Sequence, residues 1–204
     1  MNFELSDNLF QVTALSCAAA AAIGSSLRRK SRLCLILALA YASFAMGTLY
    51  YVLNLLILGH TPQIFYVSEV SWLASWLFYL SFQIVRTEGT RLCCRPLPAG
   101  GAFLTAVCVL AFRIFGPSYL MSALFAVTVG AVVFLSLFRL QSGAPGKRTD
   151  AAFLTCAVLQ LLVYAVSAFT DDYTRFSLYF AVDMTLTLSF AALLPLHLRE
   201  VGKK

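Results

Sequence analysis

Seven long stretches of this 204-residue chain contain few charged side chains. A helix that crosses the hydrocarbon core of a bilayer needs about 20 mostly apolar residues, and most of the stretches reach that length. Only 12% of the chain is charged, whereas a soluble domain uses about 25% to cover its core. We therefore predict an all-α integral membrane protein, a bundle of seven transmembrane helices without a soluble domain. The predicted helices span residues 8–27, 33–58, 64–85, 99–115, 118–140, 150–170 and 176–198.

Basic residues are distributed unevenly between the connections. Those after the first, third, fifth and seventh stretches are rich in arginine and lysine, whereas the opposite ends of the stretches carry only Arg113 and Arg175. The positive-inside rule therefore predicts an amino terminus outside and a carboxyl terminus in the cytoplasm. The basic residues of the inner connections also account for the net charge of +6, so nucleic-acid binding is not needed to explain it. We predict the lipid bilayer as a partner and no nucleic-acid binding. The basic clusters lie at 28–32, 86–95, 139–148 and 199–204.

The chain lacks the residue patterns of the common catalytic and cofactor sites. No predicted helix contains a lysine, which excludes a retinal Schiff base. His60 and His197 lie at opposite ends of the predicted bundle, so a histidine-based metal site cannot assemble. Motifs for nucleophilic serine, zinc peptidase or phosphate-binding chemistry are absent from the sequence. We predict neither an enzyme nor a protein that binds a metal or cofactor.

The sequence also contains a weak internal repeat. A shift of 114 residues superposes the first three predicted helices on the last three, and it aligns Tyr50 with Tyr164 and Glu69 with Asp183. Matched helices point the same way, so the repeat predicts a parallel three-plus-one-plus-three plan with the fourth helix as connector. Parallel repeats of this kind occur in transporters. Chance alignment of apolar helices is the alternative.

Glu69 and Asp183 are the two acidic residues that we select as functional candidates, because each lies inside the outer end of a predicted helix. A carboxylate inside a membrane helix is costly and usually faces the bundle interior or water, so we predict an outward-facing acidic and aromatic ligand site. Tyr164 is the expected partner of Asp183, and Arg113 and Arg175 are the expected charge partners of the two acids. Anchoring at the membrane surface is the alternative for the aromatic residues. The candidate ligand-binding residues are Asp183, Glu69, Tyr50, Tyr164, Tyr66, Tyr179, Asn54, Trp72 and His60.

Several motifs in the second, third and last predicted helices resemble those of seven-helix sensor domains. They are Gly47-Thr48-Leu49-Tyr50-Tyr51, Gly59-His60-Thr61-Pro62, Val67-Ser68-Glu69-Val70, Leu77-Phe78-Tyr79 and Tyr179-Phe180-Ala181-Val182-Asp183.

The sensor domains in question form the amino ends of bacterial diguanylate cyclases and histidine kinases. The resemblance implies a receptor in a bacterial cytoplasmic membrane that binds a ligand or partner from outside and relays the change inward. Such sensors continue into a catalytic module, but this sequence ends at Gly202-Lys203-Lys204. Either the receptor acts through a separate cytoplasmic or membrane signalling partner, or the resemblance is one of architecture alone.

A small-solute transporter or channel with the three-plus-one-plus-three plan is the alternative function. Seven-helix sugar transporters, which share this plan, have a Pro-Gln pair within the helices of each repeat. Here the pair occurs once, as Pro62-Gln63 in a predicted outer turn. This departure favours the receptor interpretation.

Overall fold

The computed structural model describes residues 3–59, 66–90, 93, 95–112, 118–170 and 172–202, and these residues form seven α-helices and no strand. This confirms the prediction of an all-helical protein with seven helices. The helices are α1 (Phe3–Arg29), α2 (Arg32–Leu58), α3 (Tyr66–Thr87), α4 (Pro96–Ala111), α5 (Tyr119–Gln141), α6 (Lys147–Ser167) and α7 (Leu178–Val201).

Five of these helices, α1, α2, α5, α6 and α7, are long and apolar enough to cross a membrane. The chain is therefore an integral membrane protein, as its composition predicts. Helix α3 is 22 residues long but more polar, and α4 has only 16 residues. Several helices extend beyond their predicted bounds because their end turns contain polar residues: α1 begins at Phe3, α6 at Lys147, and α7 ends at Val201.

Six of the helices are neighbours around a ring in the order α1, α2, α3, α5, α6, α7 and back to α1. Helix α2 also reaches α7 across the ring, and α4 packs on α5 and touches α6. Because α4 is not one of the ring members, α3 and α5 are adjacent although α4 separates them in sequence. This order brings the start of α1 next to the start of α7 at one end of the bundle. At the other end it brings the ends of α3, α5 and α7 next to the start of α6.

Aromatic side chains fill the middle of the ring. Tyr79 stacks on Phe190 with ring centroids 5.1 Å apart, and Trp76 packs edge-on against both at 5.8 Å. The Tyr41 hydroxyl donates to the Phe190 carbonyl oxygen at 2.9 Å. All four side chains are fully buried. Edge-on and offset pairs each contribute about 0.5–1.5 kcal/mol beyond the area they bury, so this aromatic core is a firm layer between the two ends of the bundle.

Helices α2 and α3 approach closely at Gly47. A Cβ atom on Gly47 would lie only 2.9 Å from the Ser71 Cβ atom and 3.1 Å from the Ser68 carbonyl oxygen. The Ser68 hydroxyl donates to the Gly47 carbonyl oxygen at 2.9 Å. Small residues permit such close helix contacts in membranes. The contact places Thr48, the next residue, beside Trp72 of α3.

Candidate functional site

One buried polar cluster joins the starts of α1 and α7. Asp7 and Gln11 are four residues apart, on one face of α1, and both meet Asp183 in the second turn of α7. The Gln11 Nε2 group donates to Asp183 Oδ2 at 2.7 Å, and the Asp7 carboxyl group lies within hydrogen-bonding reach of that of Asp183. Asp7 is 1% exposed and Asp183 is 7% exposed. Together with Thr48 and Trp72 these residues form what we call the aspartate cluster.

A chain of hydrogen bonds reaches Asp183 from α3. Trp72 Nε1 donates to Thr48 Oγ1 at 3.4 Å, and Thr48 Oγ1 donates to Gln11 Oε1 at 3.2 Å. The tryptophan indole can only donate, so Thr48 accepts from it, and the single hydroxyl proton of Thr48 has two acceptors, Gln11 Oε1 and the Phe44 carbonyl oxygen at 3.3 Å. Gln11 presents its amide NH₂ group to the carboxyl group of Asp183.

The aspartate cluster has no counter-charge in the described part of the chain. None of the ion pairs there includes Asp7 or Asp183. Arg175, an expected charge partner, lies at the surface with its side chain 87% exposed and pairs with Asp172 at 3.7 Å. In addition, Asp7 Oδ1 is buried without a hydrogen-bond partner. Two buried acids thus meet with one oxygen atom unsatisfied.

Tyrosine side chains surround this cluster. Tyr164 and Tyr179 both lie close enough to interact electrostatically with Asp183. Tyr179 packs edge-on against Tyr173 with ring centroids 5.2 Å apart. The Tyr51 hydroxyl donates to Glu4 Oε1 at 2.5 Å. The rim therefore combines aromatic rings with hydroxyl groups.

Four of the predicted ligand-binding residues are members of this arrangement. Asp183 and Trp72 belong to the cluster, and Tyr164 and Tyr179 lie beside it. The hydrogen-bonding partners that the structure gives Asp183 are Gln11 and Asp7.

Other predicted residues lie elsewhere. Asn54 donates to the backbone carbonyl oxygen of Tyr50, one turn earlier in α2, at 2.9 Å. Glu69, in the first turn of α3, is half-buried and makes no described hydrogen bond to Asp183, although it interacts electrostatically with Tyr164. The last group lies outside the described residues: His60, Arg113 and the side chain of Tyr66.

A second buried cluster occupies the opposite end of the bundle. Asp150, in the first turn of α6, is fully buried. Arg86 Nη1 at the end of α3 donates to Asp150 Oδ1 at 2.6 Å, and Arg139 Nε at the end of α5 lies 3.2 Å from both carboxylate oxygens. Gln83 Nε2 adds a donor at 3.2 Å. Charge-assisted bonds of this kind are about twice as strong as neutral ones.

The two guanidinium groups also hold the loop between α5 and α6. Arg86 Nη2 donates to the Gly146 carbonyl oxygen at 2.9 Å, and Arg139 Nη2 donates to the Pro145 carbonyl oxygen at 2.6 Å. Gly146 has φ 95°, a conformation that favours glycine, and a Cβ atom there would collide with the Arg86 guanidinium. Arg139 Nη1 donates to the Arg86 carbonyl oxygen. The loop and the ends of two helices thus form one hydrogen-bonded unit.

Glu200 connects the end of α7 to this unit. Its Oε1 atom accepts from the backbone N–H groups of Arg148 and Thr149 at 2.8 and 3.3 Å, and Thr149 Oγ1 donates to Oε2 at 2.6 Å. A carboxylate at the first N–H groups of a helix is favoured by hydrogen bonds and by the helix dipole. Glu200 Oε2 also lies 4.0 Å from Arg86 Nη2. We call Gln83, Arg86, Arg139, Asp150 and Glu200 the arginine cluster.

A cavity of about 180 Å³ opens beside the arginine cluster. His197 of α7 contributes to its wall, is 4% exposed, and packs edge-on against the Phe82 ring with centroids 5.1 Å apart. The cavity is bordered by the ends of α3, α5 and α7. The lining residues are Leu33, Arg86, Arg139, Pro145, Gly146, His197, Glu200 and Val201.

Sequence reasoning did not select Asp7, Gln11 or Asp150. The polar first turn of α1 was assigned to the connection before the helix, and Asp150 marked a predicted helix start. A usable signal was present for α1, because Asp7 and Gln11, four residues apart, lie on one face of a helix. For Asp150 there was no comparable signal, since its partners are on other helices.

Comparisons with family models, with curated proteins and with solved structures found no match for this chain. The functional argument therefore depends on the geometry of the aspartate and arginine clusters and on the helices that join them.

Proposed function

We propose that this protein is a membrane receptor without catalytic activity of its own. In this proposal the aspartate cluster detects a ligand or partner, and helices α3 and α7 relay the change to the arginine cluster, where a separate signalling partner binds. The single observation that carries the proposal is that two buried polar clusters at opposite ends of the bundle share these two helices.

Helix geometry supports a relay along α3 and α7. Trp72 and Arg86 are 14 residues apart on α3, and Asp183 and Glu200 are 17 residues apart on α7, which correspond to about 21 and 25 Å at 1.5 Å per residue. A shift or rotation of α7 at Asp183 therefore reaches the Glu200 contacts along one continuous helix, which contains Pro195 between the two residues. Helix shifts of about 1–2 Å are a common form of such switching.

The aromatic core favours a relay over transport. Trp76, Tyr79 and Phe190 are fully buried between the two clusters and pack against one another. A transported solute would have to displace these rings, whereas a helix movement would only need them to slide. Packed side chains with discrete arrangements are suitable carriers of such coupling.

The orientation and the repeat are further parts of the proposal. The basic segments lie at the arginine-cluster end, so the positive-inside rule places that end in the cytoplasm. The three-plus-one-plus-three repeat is supported by the ring order, because the contact between α3 and α5 corresponds to that between α7 and α1. It is also supported by Arg86 and Glu200, which follow Glu69 and Asp183 by the same 17 residues and meet each other.

The resemblance to the sensor domains of bacterial cyclases and kinases agrees with this proposal, and it favours the bacterial cytoplasmic membrane. The signalling partner would approach the cavity beside His197 and the exposed basic residues around it. Exposed basic side chains at this end include Arg28, Lys147, Arg148 and Arg199.

Distance measurements between the ends of α3 and α7 test the relay. Nitroxide labels are placed at the exposed positions Glu88→Cys and Arg199→Cys, in a variant without native cysteines, and their separation is measured by pulsed electron paramagnetic resonance. We expect Asp183→Asn to change the distance by about 2 Å. The matched control is Thr185→Val, an exposed change in the same turn of α7. An Asp183→Asn distribution identical to that of the control would contradict the relay.

Two further experiments separate the alternatives. Saturable uptake of a small solute by proteoliposomes, lost in Asp183→Asn, would favour the transporter. For the orientation, the exposed Cys93 thiol is treated with a membrane-impermeant maleimide in sealed cells. We expect labelling only after permeabilisation, and labelling in sealed cells would reverse the proposed orientation.

A further inference from the structure

We propose that Asp7 and Asp183 bind one proton between them, so that the hydrogen ion is a ligand of the aspartate cluster. The claim that the receptor senses protons depends on the proposed function. The claim that the cluster binds a proton is argued from the geometry of the two carboxyl groups alone.

The contact between the two carboxyl groups requires a proton. Carboxylate oxygens only accept hydrogen bonds, so two carboxyl groups can bond to each other only when one carries an O–H group. Asp7 is 1% exposed and Asp183 is 7% exposed, and no cation of the described residues pairs with either. Two adjacent carboxylates in such surroundings cannot both be ionised at low cost. A single shared proton removes one of the two charges and forms the bond.

The donors around the pair favour a proton over a metal cation. Hard cations prefer to be surrounded by oxygen atoms. Gln11, however, directs its amide NH₂ group at Asp183 Oδ2, and its amide oxygen faces the Thr48 hydroxyl. The N–H donor stabilises the charge that remains on the pair and occupies a position that a bound cation would need.

Two tyrosine side chains interact electrostatically with the pair: Tyr164 of α6 with Asp183, and Tyr179 of α7 with both acids. The titratable groups around these tyrosines, from α1, α2, α3 and the segment before α7, are also acids and tyrosines, and none of them in the described part of the chain is a cation. They are Glu4, Tyr51, Glu69 and Tyr173.

The pair also lies close enough to one end of the bundle to exchange its proton with water. Asp7 is four residues from the start of α1 and Asp183 is five residues from the start of α7, which correspond to about 6 and 8 Å along the helices. Asp183 retains 7% exposure. Loss of the proton would leave two carboxylates in contact, and their repulsion would separate α1 from α7 at this end.

Infrared spectroscopy of the full-length protein in lipid nanodiscs, recorded as a function of pH, tests this inference. We expect the wild type to have a protonated-carboxyl C=O band that disappears as the pH rises. The double variant Asp7→Asn/Asp183→Asn should remove this band, and each single variant should move its titration to lower pH because the neighbouring carboxylate no longer favours protonation. The exposed-acid control Asp172→Asn should leave the band and its titration unchanged. A band that the double variant retains, or whose titration neither single variant shifts, would overturn the proposal. A band that sodium ions remove at constant pH would also overturn it, and a metal cation would then be the ligand.

The wild type supplies a second measurement that does not depend on the folding of the amide variants. With a bound proton the folded state holds one more proton than the unfolded state at neutral pH, and the thermal midpoint should fall as the pH rises. A midpoint that rises over this range would contradict proton binding. If the band titrates but the distance between labels on Glu88→Cys and Arg199→Cys is independent of pH, the proton site stands and the proposed relay fails.

Discussion

The aspartate and arginine clusters both bury aspartate side chains, but they stabilise them in opposite ways. Asp150 accepts donors from Arg86, Arg139 and Gln83, so its charge is compensated. Asp7 and Asp183 have each other and the neutral amide of Gln11. The comparison teaches that a buried carboxyl group in a membrane helix is kept either by a fixed counter-charge or by giving up its own charge.

The two solutions have different consequences for movement. In the arginine cluster both oxygens of Asp150 have donors, and the loop after α5 is bound to the same guanidinium groups. In the aspartate cluster Asp7 Oδ1 has no partner. The arginine cluster therefore holds a defined geometry, whereas the aspartate cluster is the end at which a change of charge alters the contacts between helices.

The largest expected effect comes from removing the central charge of the arginine cluster. Asp150→Asn leaves two buried guanidinium groups without a carboxylate, and breaking a buried pair costs about 3–5 kcal/mol. We expect the free energy of unfolding in detergent to fall by this amount, with Asp172→Asn as the exposed control. An Asp150→Asn protein as stable as the control would show that the buried ion pairs are not needed for the fold.

A smaller effect is expected when the charge is kept and the geometry is lost. Arg139→Lys retains a cation but cannot reproduce the bonds to Asp150, Pro145 and the Arg86 carbonyl oxygen. We expect a loss of about 1–3 kcal/mol, measured by the same unfolding experiment. A loss equal to that of Asp150→Asn would mean that hydrogen bonding, and not charge, holds this end together.

The aspartate cluster should tolerate the substitution that the arginine cluster does not. Asp7→Asn and Asp183→Asn replace a carboxyl group by an uncharged amide of similar size, so at neutral pH we expect the free energy of unfolding to change by less than about 1 kcal/mol. The measurement is thermal unfolding of each variant, compared with that of Asp150→Asn. A loss as large as that of Asp150→Asn would remove the contrast between the two clusters.

The smallest effect is expected at the exposed Asp172. Hydrogen bonds from the Thr174 hydroxyl and backbone N–H, with a contribution from Arg175, hold the pKa of this carboxyl below its ordinary value of 3.8. A lowered pKa contributes stability above that ordinary value, and the contribution is lost as the pH falls through the folded-state pKa. Thr174→Val should raise the pKa of Asp172, as followed by carboxyl carbon chemical shifts, and should lower the thermal midpoint at neutral pH by the smallest amount in this series. An unchanged pKa of Asp172 would show that the Thr174 hydroxyl is not the cause of its lowered value.

Much of the architecture could be predicted from local patterns. Apolar stretches predicted seven helices, because hydropathy is a property of consecutive residues, and seven are present. The helix ends were less predictable. The turns around Asp7 and Glu200 belong to helices, but their polar residues are typical of connections between helices. Asp183 was selected because a single acid inside an apolar helix is conspicuous by itself.

The sequence by itself determined that the chain is a helical membrane protein and that Asp183 needs a partner within the bundle. Only the tertiary structure decided that the partners are Asp7 and Gln11, about 170 residues away in the chain, and that Asp150 receives two arginines. The physical reason is that burial preference is encoded locally, whereas pairing depends on which helices are neighbours around the ring and on how each is rotated about its axis.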